Sequence, residues 1–146
     1  MSEVETKSPP LLDLQLCFAL YSTSRAITKV YAGLLEDLGL TYPQYLVMLV
    51  LWEKDGLSVQ EIADRLRMEG ATATPLIQRI ERMGLVEKRR NRIDERRMDV
   101  LLTREGRDMG AKVLDMPERL GCALNVSNEK AHQLLDDIVA LRDGFA

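Results

Sequence analysis

The sequence predicts a mainly α-helical fold in which a helix-turn-helix and a two-stranded β wing lie between long N- and C-terminal helices. Three observations predict it. Apolar residues recur at helical spacing through both ends of the chain. The capping residues Thr41, Ser58, Thr103 and Ser127 each stand before such a stretch. Two short β-type runs, joined by the charge-dense segment RNRIDERR, follow a pair of short helices.

Residues 1–10 read as a disordered arm ending in Pro9 and Pro10, and residues 11–146 as one domain. Asp13 to Leu38 reads as one long helix, with Leu12, Leu16, Leu20 and Ile27, then Val30, Leu34 and Leu38, at helical spacing and Gly39 at its end. It is apolar on more than one face, which points to packing against a second chain as well as its own core. Thr41 and Gln44 form a capping-box pattern with Pro43 in the first turn, opening a buried helix that stops at Gly56. Ser58 and Glu61 repeat the box and begin a helix from Val59 to Leu66, with Ile62, Ala63 and Leu66 inward. The next helix spans about Ala71 to Met83, with Leu76, Ile77 and Ile80 inward, Pro75 early enough to be tolerated and Gly84 closing it. The strands are Leu85 to Arg89 and Met98 to Leu102. Thr103 caps a helix to about Leu114, Pro117 marks a break, helix resumes to Cys122 or beyond, and Ser127 caps a last helix over Asn128 to Arg142. Residues 41–103 would then form the winged helix-turn-helix lobe between flanking helices over residues 11–40 and 104–146.

Composition narrows the function. The 146 residues are 46% apolar and 29% charged, which fits one globular domain. No apolar run approaches the roughly 20 residues of a membrane span, and the polar start lacks a signal-peptide core, so a cytoplasmic location is expected. Two cysteines make no disulfide scaffold, and with one His they cannot build a usual zinc site within a single chain, so no metal or cofactor is expected. There is no phosphate loop and no nucleophilic triad, which argues against an enzyme. The net charge is −3, but its distribution is uneven. Between Arg65 and Arg107 twelve Lys/Arg face seven Asp/Glu, a local net of +5, while the remainder carries eight against sixteen. A basic middle on an acidic body suggests one nucleic-acid-facing surface.

A DNA major groove about 12 Å wide admits one α-helix. On the second short helix Glu69, Ala71, Thr72, Thr74, Gln78, Arg79 and Arg82 are the non-core positions. Thr72 and Thr74 suit bases or phosphates, Gln78 and Arg79 suit bidentate base readout, and Arg82 suits a phosphate. In the wing, Lys88, Arg89, Arg90, Arg92, Arg96 and Arg97 cluster around Asp94 and Glu95. Cations that dense need a compensating anion. Asp94 is expected to pair with a neighbouring arginine and shape the tip, leaving Arg96 to enter the minor groove.

Cys17 lies near the start of the first helix, where backbone N–H groups and the helix dipole favour a thiolate. Tyr21 is four residues on and shares its face. Tyr31 is about 21 Å away along a continuous helix at 1.5 Å per residue, so it can reach only the Cys17 of an antiparallel partner helix. Tyr42 can approach the same place. From residue type alone, however, a lone cysteine on an apolar helix face reads first as small-residue packing, and such tyrosines as core or interface.

The segments LTYPQYLVMLVLWEKDGLSVQEIADRL and ATATPLIQRIERMGLVEKRRNRIDERRMDVLLTREG, with Asp94 and Arg96 in a D-x-R element and Leu102, Thr103 and Gly106 in L-T-x-x-G, resemble the multiple-antibiotic-resistance regulator (MarR) family. The resemblance spans residues 11–143. It implies an α-helical homodimer, with residues 11–40 and 104–146 as its dimerisation helices, that binds pseudo-palindromic double-stranded operator DNA and represses nearby genes. The stretch DLQLCFALYSTSRAITKVYAGLLEDLGLTYPQY further resembles the organic-hydroperoxide-sensing branch of that family. That resemblance makes Cys17 the peroxide-reactive residue and Tyr31 and Tyr42 its hydrogen-bond donors across the dimer. Cys122 matches the two-cysteine members, in which an intersubunit disulfide follows oxidation and releases DNA. Two other readings stay open: a repressor released by a small phenolic or aromatic ligand with structural cysteines, and a thiol peroxidase, for which no scaffold is evident. His132 and Trp52 read as surface or interface and as core packing.

Overall fold

The computed structural model describes residues 8–145. The expected N-terminal arm lies mostly outside them; Ser8, Pro9 and Pro10 are exposed and irregular. The α-helices are α1 (Leu16–Leu34), α2 (Tyr42–Glu53), α3 (Val59–Arg65), α4 (Gly70–Arg82), α5 (Arg104–Ala111), α6 (Met116–Leu124) and α7 (Asn128–Phe145). The strands are β1 (Leu57–Ser58), β2 (Val86–Arg90) and β3 (Met98–Leu102). The mainly α, winged helix-turn-helix fold expected from sequence is the fold observed.

The first long helix differs from its expected span. It is α1 with short 3-10 turns on either side, over Leu12–Leu14 and Glu36–Leu38. Gly39 closes the second turn at φ 69°, a left-handed conformation that costs glycine little. Thr41 and Gln44 form the full reciprocal box at α2, with Pro43 in its first turn. At α3 the box is only half made: Ser58 accepts the Glu61 N–H, but the Glu61 carboxylate accepts the Ser58 hydroxyl instead of the Ser58 N–H. Thr103 and Ser127 accept the N–H groups of Gly106 and Lys130.

The sheet has three strands in the order β1-β3-β2, all antiparallel. Two form the wing. The third, Leu57 and Ser58 opposite Val100 and Asp99, was not foreseen, and it ties the wing base to the entrance of α3. Asp55 reinforces that seam, its carboxylate accepting the N–H groups of Gly56 and Leu102 at 2.9 Å each.

The core fills one lobe. Val47, Met48 and Leu51 of α2, Ile62 of α3, Ile77 and Ile80 of α4 and Val100 of β3 are almost wholly buried. Helix α5 is drawn tightly onto this lobe at Gly106, where the Leu85 carbonyl lies against the Cα. The Trp52 indole N–H donates to the Gly106 carbonyl at 2.8 Å. Thr103, one turn earlier, donates to the Gly84 carbonyl at 2.5 Å. By contrast α1 and α7 contain no fully buried side chain.

A side chain at position 106 would overlap the Leu85 carbonyl oxygen, and no flexible group is there to yield. Gly106→Ala is therefore expected to lower stability by about 3 kcal/mol, the upper range for overpacking. Equilibrium urea unfolding measures this, and a midpoint unchanged from wild type would contradict the close approach.

Candidate nucleic-acid interface and thiol site

Helix α4 buries Ala73, Ile77 and Ile80, a stripe at helical spacing that turns its opposite face outward. Thr72, Gln78, Arg79 and Arg82 lie on that exposed face. Thr74 does not stand fully there. It is half-buried, and its hydroxyl donates to the Gly70 carbonyl at 2.8 Å, so its proton is already used. Arg79, Arg82 and Arg92 form no ion pair among the described residues.

The wing tip is folded by its own side chains. The Asn91 side-chain oxygen accepts the N–H groups of Ile93 and Asp94 at 2.9 and 3.0 Å. Asp94 accepts the Arg96 N–H at 3.1 Å and lies 3.7 Å from its guanidinium. Asp94 thus shapes the turn and pairs with a neighbouring arginine, as expected. The Arg96 side chain is nonetheless 96% exposed and extends from the tip. Arg89 is exposed but paired with Glu87 at 2.5 Å. Arg97 differs from the rest of the cluster: it is enclosed by Asp99, Glu61 and the Gly56 carbonyl.

The tyrosines separate into two sets. Tyr31 on α1 stacks on Tyr42 with ring centroids 4.7 Å apart, and Tyr45 lies 5.8 Å from Tyr31. Tyr45 meets Trp52 edge-on at 6.2 Å, so an aromatic row runs from α1 to the indole that holds Gly106. Burial, helped by Tyr42 and Tyr45, pushes the Tyr31 hydroxyl up to about 12, and burial also raises Tyr42 and Tyr45. These hydroxyls stay protonated at neutral pH and are able to donate. Tyr21 stands apart. It is exposed, with the Arg25 guanidinium 5.6 Å above its ring.

Cys17 is exposed in the first turn of α1, and Cys122 is exposed near the end of α6. Helices α1 and α6 pack against each other. Among the described residues, no tyrosine hydroxyl of the same chain hydrogen-bonds the Cys17 sulfur. Gln15, preceding α1, provides no side-chain cap; its amide donates back to the Leu11 carbonyl. Cys122 lines an open groove with Glu118 and Asn128. Trp52 packs against the core as expected and bonds the Gly106 carbonyl besides, while the place of Tyr45 in the aromatic row and the inward turn of Arg97 were not expected from the sequence. A half-buried indole needing an acceptor, and Arg97 alternating with Asp99 on one strand face, were the available signals.

A helix-turn-helix backed by a basic hairpin, with a row of exposed polar and cationic side chains on its second helix, defines a winged-helix DNA-binding protein. The comparisons agree. The family model for the transcriptional regulators SarA/Rot matches residues 29–113. The chain is 43% identical over 143 residues to the HTH-type transcriptional regulator TtmR of Methylorubrum extorquens, spanning 98% of this chain and 73% of that one. It is 40% identical over 123 residues to the organic hydroperoxide resistance transcriptional regulator of Bacillus subtilis, spanning 84% and 82%. Among solved structures it resembles AbfR of Staphylococcus epidermidis. The reduced, DNA-bound form of AbfR aligns with TM-score 0.76 at 27% identity, covering 92% and 94% of the two chains. Its disulfide form aligns with TM-score 0.64 at 30% identity, covering 90% and 88%. The chain belongs to the MarR/SarA-type family of winged-helix transcriptional regulators. Among its described residues no helix is long and apolar enough to cross a membrane.

The wing also carries an acid-sensitive group. The Arg97 guanidinium, and then the Asn91 amide, hold the Asp99 carboxyl below the usual carboxylate range. A folded pKa lowered in this way contributes stability above the ordinary value, near pH 4, and loses it as the pH falls through the depressed value. Below about pH 4 the melting temperature of Asp99→Asn is expected to fall less steeply with acid than that of wild type. Circular dichroism melts across that range test this, and parallel acid slopes would remove Asp99 from the account.

Proposed function

We propose that this chain is a cytoplasmic, homodimeric repressor of pseudo-palindromic operator DNA, released when an organic hydroperoxide oxidises Cys17. The observation that carries the reading is the placement of Cys17. It is an exposed thiol in the first turn of a helix that its own chain leaves without a fully buried side chain. Leu11, Leu12, Leu14 and Leu16 around it, and Leu135, Ile138 and Phe145 on α7, are exposed as well. That much apolar surface at both chain ends suits a second copy. Antiparallel pairing of the first helices brings the protonated pair Tyr31 and Tyr42 of one chain toward Cys17 of the other. Their hydroxyls then donate to the sulfur and favour its ionised form.

In the oxidation, the Cys17 thiolate attacks the terminal oxygen of the hydroperoxide and the O–O bond breaks. The alkoxide leaves and takes a proton from water to become the alcohol, and the sulfur, now bonded to OH, is a sulfenic acid. The thiol of Cys122 from the other chain then attacks that sulfur, and water leaves as the disulfide forms. A disulfide requires Cα atoms within about 7 Å, so closing it from a wider separation must draw helices together. That displacement turns the two lobes out of the register needed for major grooves about one helical turn apart. The similarity to the Bacillus hydroperoxide regulator supports the signal. AbfR supports the switch, since it has been captured both reduced on DNA and with a disulfide formed. On DNA, Thr72, Gln78, Arg79 and Arg82 read or clamp the major groove, Arg89, Arg92 and Arg96 follow the backbone or minor groove, and Asp94 shapes the tip, while Thr74 stays bonded to its own helix.

Gel-shift assays with cumene hydroperoxide followed by dithiothreitol test this. Wild type is expected to release the operator, regain it on reduction and run as a crosslinked dimer on non-reducing gels. Cys17→Ser is expected to stay bound throughout, and Cys122→Ser to lose the crosslinked species. Peroxide release that persists in Cys17→Ser would overturn the redox reading. Release of that variant by a phenolic ligand would favour the ligand-gated alternative.

A further inference from the structure

The wing cations are not equivalent, and the exception is informative. The Arg97 side chain is 35% exposed, against 96% for Arg96 beside it. Its guanidinium reaches two elements and the turn before β1 at once. Nε donates to the Asp99 carboxylate of β3 at 2.6 Å, Nη1 pairs with the Glu61 carboxylate of α3, and Nη2 faces the Gly56 carbonyl at 3.5 Å. The second oxygen of Asp99 accepts the Asn91 amide at 2.8 Å, which brings the far end of β2 into the same cluster. Glu61 in turn accepts the hydroxyl of Ser58, the residue that caps α3. The charge of Arg97 is therefore matched by two carboxylates and its donors are directed inward.

We propose that Arg97 is a positioning residue, not a DNA contact: it fixes the wing at one angle to the helix-turn-helix, so that Arg96 and α4 engage one duplex together. The inference rests on the DNA-interface reading above and deepens it. The short strand β1 supplies only a two-residue seam between wing and lobe. A planar guanidinium held by two carboxylates on different elements adds the directional restraint that so short a ladder lacks. Rigid placement is what lets two separate elements bind without a further ordering cost at each encounter.

Charge and position make opposite predictions at Glu61. Removing a carboxylate from a basic DNA-binding face should tighten binding if only electrostatics matter. If Glu61 holds Arg97, Glu61→Gln should weaken it. Fluorescence anisotropy of the reduced protein on operator DNA, across a salt series, reads this. Glu61→Gln and Arg97→Gln are each expected to lower affinity about tenfold at fixed salt while leaving the slope of log K against log salt at its wild-type value. Arg96→Ala is expected to lower affinity and also reduce the slope by about one phosphate contact. A slope reduced in Arg97→Gln as it is in Arg96→Ala would make Arg97 a phosphate contact and overturn the proposal. Tighter binding by Glu61→Gln, or unchanged affinity in both glutamine variants, would overturn it too. Failure of Arg79→Ala and Arg96→Ala to affect binding would instead refute the interface reading itself. Should Arg97→Gln unfold, the sign of the Glu61→Gln effect still decides.

Discussion

Burial in this chain is confined to its middle. Among the described residues every fully buried apolar side chain falls between Leu35 and Met116, and neither terminal helix holds one. The hydrophobic effect therefore acts on the lobe built from α2 to α5 and the sheet, while α1 and α7 keep rows of leucines in water. A chain organised this way has a self-sufficient reader and an incomplete frame. The reader is defined by contacts that the chain makes with itself. The exposed apolar rows of the frame suit the proposed second copy, and the proposed sensor sits on that frame, a layer apart from the reader.

The two layers are nevertheless connected. Tyr31 stacks on Tyr42 and Tyr45, Tyr45 meets Trp52, and Trp52 holds the carbonyl of Gly106. Gly106 abuts Leu85 at the root of the wing, and its N–H is taken by Thr103, which also reaches Gly84 at the end of α4. Each contact is ordinary alone. Together they run from the first helix to the place where recognition helix, wing and α5 converge.

Much of this was legible in the sequence because the signals were local. Capping residues, helical periodicity and the break at Pro117 each act within a few residues, and α2, α3, α5 and α7 begin directly after the capping residues Thr41, Ser58, Thr103 and Ser127. The charge cluster disclosed the wing. Features made by distant partners were not legible. The strand β1 is two residues long and has no alternation to read; it exists because Val100 and Asp99 lie opposite. The half-made box at Ser58 has the same kind of cause, since Arg97 takes the Glu61 carboxylate from far along the chain. Thr74 looked available by position but bonds its own helix. Tyr21 and Cys17 share a face, and the Arg25 guanidinium above the Tyr21 ring is a contact the sequence did not announce. At the candidate site, the sequence indicated which residues carry chemistry but not which cations were already neutralised.

The interruptions in the helical frame have a mechanical meaning. The long first helix ends in the 3-10 turn over Glu36–Leu38 before α2, and α5 gives way to α6 across a turn between Ala111 and Met116. Those two junctions are where the polypeptide passes between frame and reader. A continuous rod crossing either of them would transmit torque directly. Short turns stand there instead, so neither crossing is made by a continuous α-helix.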